Sequence, residues 1–267
     1  MILLNKKDYN VVVKPLQEVT INNLFARSVV EGHVDGRVYV NDVDEPSVFY
    51  VVHKYGMSLL FGDIDDKEFN KEFKEYALKS DREVDEWMQA FPAAWDEVLS
   101  DMFEGQLVRS SESVIELNTR VNFSFDEDRY TSFRRELPFE DLEIVKVDEE
   151  IFDKMEGGVV PSKFWNDSKD FIENGVGFSL FYDGELASTA FSSYVHDGLL
   201  ELGIETAEGY RGKGFAQHTC SALIDHCLKN DYEPVWSCRL ENTGSYRLAV
   251  KLGFRASLEI PYYRLRR

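Results

Sequence analysis

The sequence predicts an α/β (α+β) protein with two segments, each combining helices with strands. The chain has 267 residues, of which 43% are hydrophobic, as is typical of globular proteins. Runs rich in β-branched and aromatic residues alternate with amphipathic stretches of helical period. Residues 139–267 are predicted to form a mixed, mainly antiparallel sheet flanked by helices, and residues 1–138 an accessory α/β domain.

The N-terminal segment is predicted to begin with one helix from Pro15 to Val30. Three strand-like runs follow, "RVYVND", "SVFYVVHK" and "MSLLFGD". Apolar residues then recur every three or four positions from Val84 to Phe103, which predicts an amphipathic helix that Pro92 breaks or restarts. Two further strands, "SVIELN" and "RVNFSF", lead to a domain boundary near Pro138.

The C-terminal segment is predicted to have the order β-α-α-β-β-β-α-β-α-β. Asp183-Gly184 and Asp197-Gly198 are strong hairpin signals, so the three strands around them form an antiparallel meander. Residues 215–229 have one apolar face and are predicted to be a helix. "PSKFWNDSKDFIENG" is interpreted as one helix, "PVWSCRL" as one strand, and "NTGSYRLAVKLGF" as a helix that Gly253 closes.

Charge and composition exclude several functions. A net charge of −19 predicts no binding to nucleic acid or to anionic membranes, whereas it suits a cationic partner. No apolar run is long enough to span a bilayer, and we expect a cytoplasmic protein, either a monomer or a homodimer. The spacing of Cys220, Cys227 and Cys238 indicates buried free thiols rather than disulfides or a metal site.

The heptapeptide "YRGKGFA" lies between a predicted strand and a predicted helix. A glycine-rich turn in this position exposes unpaired backbone N–H groups at the positive end of the helix dipole, which favours phosphate binding. The turn lacks the G-K-[ST] of a Walker loop and the third glycine of a dinucleotide fingerprint. The sequence alone leaves open a second interpretation, a tight turn with solvated charges.

Two motifs together indicate a family. Arg211-x-x-Gly214-x-Ala216 resembles the [QR]-x-x-G-x-[GA] motif of the GNAT acyltransferase superfamily. The helix that begins at Asn242 and Ser245 and ends in Gly-Phe is similar to the later N-x-x-[AS] helix of that superfamily. The resemblance covers residues 140–267, and it is closer to the bacterial branch that includes the zwittermicin-resistance acetyltransferases.

The resemblance implies acetyl-CoA as co-substrate and no metal. It implies that the diphosphate lies on the backbone amides of the turn, and that the pantetheine arm pairs like an extra strand with the end of the preceding strand. A bulge commonly separates that strand from its neighbour to admit the arm. The cofactor-binding residues it implies are Ile204, Thr206, Ala207, Arg211, Gly212, Lys213, Gly214, Phe215, Ala216, Asn242 and Ser245.

Catalysis by direct transfer requires a base, because an alkylamine is protonated at neutral pH. Glu201 and Glu205 alternate with aliphatic residues on one strand, so both carboxylates are predicted to share a face. Either is a candidate general base, with Glu205 the first choice, although both also fit solvated surface charges. Many GNAT enzymes carry a tyrosine as proton donor where this chain has Ala249, which leaves Tyr246 as the candidate acid.

Three functions follow from the resemblance. The first is N-acetylation of a primary amine on a small cationic molecule, such as an antibiotic. The second is acetylation of a protein or peptide. The third is a catalytically silent acyl-CoA-binding protein, which the residue at position 249 favours. The N-terminal segment is predicted to be a degenerate GNAT-like unit without a phosphate-binding turn, which walls one side of the acceptor cleft.

Overall fold

The computed structural model describes residues 1–79, 82–108, 114–138 and 142–267. The chain divides into two compact units. The first consists of Met1–Val121, Arg239–Glu241 and Glu259–Arg267, and the second of Asn122–Cys238 and Asn242–Leu258. The predicted class, with helices flanking mixed sheets, is confirmed. No helix in the four described ranges combines the length and the apolar character needed to cross a bilayer.

The elements that begin in the first unit are β1 (Ile2–Leu3), α1 (Asn10–Gln17), α2 (Leu24–Val30), β2 (Gly36–Val40), β3 (Val48–His53), β4 (Met57–Gly62), α3 (Lys67–Leu78), β5 (Glu86–Phe91), α4 (Trp95–Met102), β6 (Leu107–Val108) and β7 (Ile115–Phe125).

The elements that begin in the second unit are α5 (Glu127–Glu136), β8 (Glu143–Lys146), α6 (Glu149–Lys154), α7 (Ser168–Asn174), β9 (Gly177–Tyr182), β10 (Glu185–His196), β11 (Leu199–Thr206), α8 (Phe215–Lys229), β12 (Glu233–Val235), β13 (Ser237–Arg239), α9 (Thr243–Lys251) and β14 (Phe254–Leu265). Strands β7, β13 and β14 contribute residues to both units.

The first unit is organised around a sheet with the strand order β1-β2-β3-β4-β5-β14-β7. Strands β2, β3 and β4 form an antiparallel meander, and β5 runs parallel to β4. Helices α3 and α4 bury Phe69, Phe73 and Trp95 against this sheet. Asp66 caps α3 by accepting a hydrogen bond from the backbone N–H of Phe69 at 2.8 Å. The core of this unit therefore lies between the sheet and these two helices.

Three predictions for the N-terminal segment are wrong in part. The two strands predicted for "SVIELN" and "RVNFSF" are one continuous strand, β7, because the backbone stays extended through Thr119. The stripe from Val84 to Phe103 contains strand β5 as well as helix α4. Met88 and Ala90 alternate into the core, and β5 pairs with both β4 and β14, so tertiary pairing overrides the helical spacing. The single helix predicted for residues 15–30 is two helices, because the amide of Asn23 bonds the carbonyl of Val19 in a turn between them.

The second unit contains a five-stranded sheet with the order β12-β11-β10-β9-β8. Its pairs are antiparallel except for β11 with β12. Both predicted hairpins are confirmed, and Asp183 and Asp197 have the positive φ angles of 52° and 46° that such tight turns require. Helix α8 begins and ends at the predicted residues.

The two faces of this sheet have different coverings. The Ser188 hydroxyl bonds those of Thr206 and Thr219, which places α8 on the face to which Thr206 points. Neighbouring strand residues point to opposite faces, so Gly203 lies on the other face. There the ring of Phe191 covers Gly203 and packs against Phe164 in the chain between α6 and α7.

Two segments predicted as single elements are divided. "PVWSCRL" forms β12 and β13, because the Trp236 carbonyl accepts a hydrogen bond from Phe123 of β7 and the chain changes partners there. "PSKFWNDSKDFIENG" forms a short 3-10 turn and α7, because the indole of Trp165 bonds the Ser192 carbonyl at 2.7 Å and Asp167 starts a new helix.

The boundary predicted near Pro138 is one between independently folding domains, and it stays a prediction. Residue 139, where the second segment is predicted to begin, lies outside the described residues. Helix α5, which precedes Pro138, belongs to the second unit. The hydroxyl of Tyr130 on α5 donates to the Ser221 carbonyl at 3.0 Å and to Asp225 at 2.5 Å on α8, so this helix is fastened to the second unit.

Candidate active site

The turn between β11 and α8 carries a set of free backbone N–H groups. Gly212 and Gly214 have φ angles of 79° and 89°, in the left-handed region that favours glycine, and α8 begins at Phe215. None of the described residues accepts a hydrogen bond from the N–H groups of residues 212–216. These donors lie at the positive end of the α8 dipole, an arrangement that binds anions.

The two basic side chains of this turn are held beside it. The ammonium of Lys213 lies 5.4 Å from the ring centre of Tyr182 and 5.0 Å from that of Tyr210, within cation–π range. The guanidinium of Arg211 donates to the Thr206 carbonyl at 3.1 Å. Both cations therefore add positive charge next to the free amides.

Phe215 has a structural role at this turn. Its ring is buried and packs against Tyr182 and Tyr210, with ring-centre distances of 5.1 Å and 6.1 Å. The side chain therefore anchors the start of α8, and the backbone N–H of Phe215 is left among the unpaired donors of the turn.

Strand β11 has an open edge that starts beside this turn. Its pairing with β12 ends at Glu201–Val235, after which the chain leaves to form β13. The backbone N–H of Ala207 donates to the Ala187 carbonyl of β10, so odd-numbered residues of β11 bond β10. Backbone groups of Ile204 and Thr206 consequently face outward, where the described residues supply no neighbouring strand.

A bulge lies beside this edge, in β10 rather than in β11. The register between the two strands shifts between Ser192 and Tyr194. The extra residue, Ser193, donates its hydroxyl to the Glu201 carbonyl at 3.2 Å. The bulge is thus fixed at the level where β12 separates from β11.

The carboxylates of Glu201 and Glu205 lie on the face opposite α8. They share the odd-numbered face of β11 with Gly203, whereas Thr206 points to α8. Glu201 is 6% exposed and accepts a hydrogen bond from the Ser237 hydroxyl at 3.0 Å. Glu201 is therefore a buried carboxylate at the point where β11 begins to pair with β12 and its unpaired edge ends.

Glu205 is engaged by three donors. One oxygen, Oε2, accepts hydrogen bonds from the backbone N–H groups of Gly158 and Val159, both at 2.8 Å. The other oxygen, Oε1, lies 3.3 Å from the Arg211 guanidinium. Its side chain is 15% exposed. Glu205 therefore connects the glycine-rich turn, through Arg211, to the segment between α6 and the next 3-10 turn.

The predicted residues of α9 are joined to one another. The side chain of Asn242 caps this helix by accepting from the backbone N–H of Ser245 at 3.2 Å, and the Ser245 hydroxyl accepts from the Trp236 indole at 3.2 Å. Tyr246 packs edge-on against Phe123, with ring centres 5.4 Å apart. Ala249 is fully buried, so no side chain at that position reaches solvent.

The cysteines are core residues, as predicted. Cys220, Cys227 and Cys238 are all free and buried. Burial raises the pKa of the Cys220 thiol far above its usual value and that of Cys227 to about 12. Neither of these thiols forms a thiolate at neutral pH. In the described ranges no three His, Cys, Asp or Glu side chains converge in a metal-binding geometry.

Fold, turn and open strand edge together define the acyltransferase class. The chain belongs to the GNAT acetyltransferase family, whose family model matches residues 14–263. It is 26% identical over 245 residues to the uncharacterized N-acetyltransferase YdfB of Bacillus subtilis (strain 168), and the match covers 90% of this chain and 89% of YdfB.

Two solved structures share the fold. A GCN5-related N-acetyltransferase-like protein from Streptococcus suis 89/1591 has a TM-score of 0.71 and 19% identity, covering 97% of this chain and 99% of that one. A tandem GNAT protein from the clavulanic acid biosynthesis pathway has a TM-score of 0.63 and 10% identity, covering 98% and 97%. The second likeness extends over both units, which agrees with a GNAT-like fold for the first unit.

Three contacts of the site lie outside the predicted residues. The hydroxyl of Ser237 bonds Glu201, and the backbone amides of Gly158 and Val159 bond Glu205. The Gly157-Gly158 pair between two helical stretches was the available sequence signal for the second contact, since adjacent glycines permit close approach of backbone to a side chain. Ser237 carried no distinguishing pattern.

Proposed function

We propose that the protein transfers an acetyl group from acetyl-CoA to a primary amine of a small cationic molecule by direct attack in a ternary complex. One observation supports this most strongly. The open edge of β11 leads from the free amides of residues 212–216 to the buried carboxylate of Glu201. A long acyl carrier with a diphosphate at one end and a thioester at the other matches that path.

The cofactor-binding part of the proposal uses mainly backbone groups. The N–H groups of Gly212, Lys213, Gly214, Phe215 and Ala216 hold the diphosphate, and the side chains of Arg211 and Lys213 add charge. Ile204 and Thr206 pair with the pantetheine arm as an added strand, because their outward backbone groups have no strand neighbour among the described residues. Ala207, also expected to pair, lies at the end of this edge with its N–H bonded to the Ala187 carbonyl and its carbonyl bonded to the Tyr210 N–H. Asn242 and Ser245 lie at the start of α9 and complete this side.

The acceptor must lose a proton before it attacks. An alkylamine with a pKa near 10.4 is neutral in about one molecule in 2,500 at pH 7, a deficit of about 4.6 kcal/mol. Glu201 and Glu205 are the candidates for taking the proton. Glu205 was the first choice from sequence. Its carboxylate binds the Gly158 and Val159 amides, whereas Glu201 lies at the level where the open edge of β11 ends, and this position favours Glu201 as the base. The hydroxyl of Ser237 orients the Glu201 carboxylate.

The leaving thiolate needs little help from the protein. A thiol pKa near 8.5 makes the thiolate a good leaving group with water as the proton source. Tyr246 is the one candidate acid on α9, since position 249 is an alanine. Of the two outward N–H groups named from sequence, those of Ile204 and Thr206, the one of Ile204 lies nearer Glu201, and it supplies the hydrogen bond for the developing oxyanion.

The proposed acceptor is inferred from the charge of the protein and from the resemblance of its motifs to one bacterial branch of the family. The net charge of −19 attracts cations, and the "YRGKG" and "KLGF" patterns are similar to those of the zwittermicin-resistance acetyltransferases. A cationic antibiotic or polyamine is therefore the acceptor class that we propose. Free buried cysteines suit the reducing cytoplasm as the place of action.

Thiol release from acetyl-CoA with a panel of polyamines, aminosugars, arylalkylamines and lysine-containing peptides tests the function. We expect turnover with at least one polycationic small molecule. Turnover with peptides alone would instead support a peptide acetyltransferase. Tight acetyl-CoA binding without turnover for any amine would support the silent acyl-CoA-binding protein, which the alanine at position 249 favours.

A further inference from the structure

The carboxylate of Glu205 is the centre of a set of contacts that proton transfer does not require. A single oxygen, Oε2, receives both amide hydrogens from Gly158 and Val159, while Oε1 faces Arg211. Two short backbone bonds to one oxygen fix the direction of the peptide chain at that point. The side chain therefore holds a particular conformation of residues 157–159.

The segment fits closely onto this side chain. Gly157 has a φ angle of 152°, and a Cβ atom there would lie 2.8 Å from Cγ of Glu205. Lys163 donates from its ammonium to the carbonyls of Gly157 and Gly158 at 2.9 and 3.0 Å. Donors and acceptors of the segment are thus satisfied from two sides, by Glu205 and by Lys163. Only glycine at position 157 permits this approach.

We propose that Glu205 is a positioning residue that fastens residues 157–159 over the acceptor face of β11. Glu201, Gly203 and Glu205 share that face, so the fastened segment lies along the face that carries the candidate base. The role of this face as the acceptor side rests on the proposed function. The fastening itself does not, and it is measurable without any substrate.

Arg211 connects this segment to the anion-binding turn. Its guanidinium bonds both the Glu205 carboxylate and the Thr206 carbonyl at the end of the open edge. A diphosphate on the amides of the turn competes with Glu205 for this cation, because both are anions next to the same guanidinium. Coenzyme A binding is therefore coupled to the order of residues 157–159 through Glu205.

The chain offers variants that separate fastening from proton transfer. Glu205→Gln keeps a carbonyl oxygen that can accept from both amides, and removes the charge and basicity. Glu205→Ala removes both hydrogen bonds. Gly157→Ala leaves the carboxylate and disturbs the fit. Glu208→Gln is a matched control, since Glu208 is exposed on the preceding turn and its carboxylate has no hydrogen-bond partner among the described residues.

Amide hydrogen exchange of residues 156–160 gives the first readout, with and without coenzyme A. We expect exchange at Gly158 and Val159 to rise about tenfold or more in Glu205→Ala, as for loss of a charge-assisted hydrogen bond, and by a smaller factor in Gly157→Ala. Glu208→Gln should stay close to the wild type. Glu205→Gln should lie between the wild type and Glu205→Ala, because its neutral carbonyl can still accept both bonds but without charge assistance. Coenzyme A should change exchange in the wild type and have no effect on these amides in Glu205→Ala. Unchanged exchange in Glu205→Ala would overturn the proposal.

Steady-state kinetics with the best amine of the panel give the second readout. We expect Glu205→Ala to raise the acceptor KM about tenfold or more with a smaller change in kcat. Glu205→Gln should keep the fall of kcat/KM at low pH that reports protonation of the catalytic base. A Glu205→Gln enzyme with kcat lowered about 100-fold or more and without that pH dependence would identify Glu205 as the base and overturn the proposal. If no amine is acetylated, the proposed function fails. The exchange experiment still shows whether Glu205 holds residues 157–159 in place.

Discussion

Glu201 and Val235 form the last residue pair between β11 and β12, and beyond this pair the two strands separate. The carboxylate of Glu201 is therefore placed where the open edge of β11 closes. The bulge in β10 at Ser193 contacts the Glu201 carbonyl at the same level, so the position is fixed from the neighbouring strand as well. A thioester whose carrier lies along the open edge would end beside this carboxylate.

The position of Glu201 predicts its effect on catalysis. Glu201→Gln preserves the shape and an acceptor for the Ser237 hydroxyl but removes the basicity. We expect kcat/KM at pH 7 to fall about 100-fold or more, with acetyl-CoA affinity unchanged. Ser237→Ala is the companion variant and should lower kcat/KM about tenfold or less, because it only orients the carboxylate. Wild-type rates in Glu201→Gln would exclude this residue as the base.

The turn between β11 and α8 predicts that alanine substitution at Gly212 and at Gly209 has different effects on acetyl-CoA affinity. Gly212→Ala places a Cβ where φ is 79° and where an anion would approach the amides, although the protein itself leaves open space there. We expect the acetyl-CoA dissociation constant to rise about tenfold or more, measured by isothermal titration calorimetry. Gly209→Ala is the control, since its Cβ also meets open space and its φ is not positive. Equal affinities in the two variants would contradict anion binding by the turn.

His53 predicts a pH-dependent loss of stability. Burial lowers the pKa of His53 from 6.5 to about 3, with a smaller contribution from Lys54. Below pH 6.5 the imidazole of His53 is protonated in the unfolded chain but stays neutral in the folded chain. The contribution of His53 to the free energy of unfolding is therefore present above pH 6.5 and is lost as the pH falls towards 3. Between pH 7 and pH 5 the loss is about 2 kcal/mol.

Urea denaturation of the wild type and His53→Asn at both pH values measures this loss. In the wild type the backbone N–H of Tyr55 donates to His53 Nδ1 at 2.9 Å. An asparagine at position 53 keeps an acceptor for this N–H, and its side chain does not titrate. The difference in stability between pH 7 and pH 5 should therefore be about 2 kcal/mol smaller in the variant. Identical pH dependence in the two proteins would show that His53 is not held neutral.

The attachment of α5 to α8 predicts a stability change. Tyr130→Phe removes a buried hydroxyl that donates to Asp225 at 2.5 Å and to the Ser221 carbonyl at 3.0 Å. We expect the free energy of unfolding to fall by about 1–3 kcal/mol. Tyr232→Phe is the matched control, because its hydroxyl has no hydrogen-bond partner in the described ranges, and it should change stability by less than about 0.5 kcal/mol. Equal stability of the two variants would contradict this role.

Local sequence signals predicted the parts of the fold that depend on local chemistry. Asp-Gly hairpins, the period of α8 and the glycines of the turn each specify a backbone conformation directly, and all three are present. β5 was predicted as helix because Trp87, Met88 and Phe91 also fit a helical spacing. Only pairing with β4 and β14 decides between the two patterns, and that pairing is remote in sequence.

The candidate site divides in the same way. The glycine-rich turn is a local motif, and the shared face of Glu201 and Glu205 follows from strand alternation. The hydrogen bonds to Glu205 come from Gly158 and Val159, about 46 positions away in the sequence. The hydrogen bond to Glu201 comes from Ser237, 36 positions away. The contacts that distinguish the two carboxylates were therefore not accessible from sequence.

A crystal structure of the protein with coenzyme A tests the central claim most directly. We predict that diphosphate oxygens lie within about 3.2 Å of backbone nitrogens between Gly212 and Ala216, with the pantetheine arm along Ile204–Thr206. A nucleotide bound at another place, or a turn filled by its own side chains while the cofactor is bound, would contradict the account.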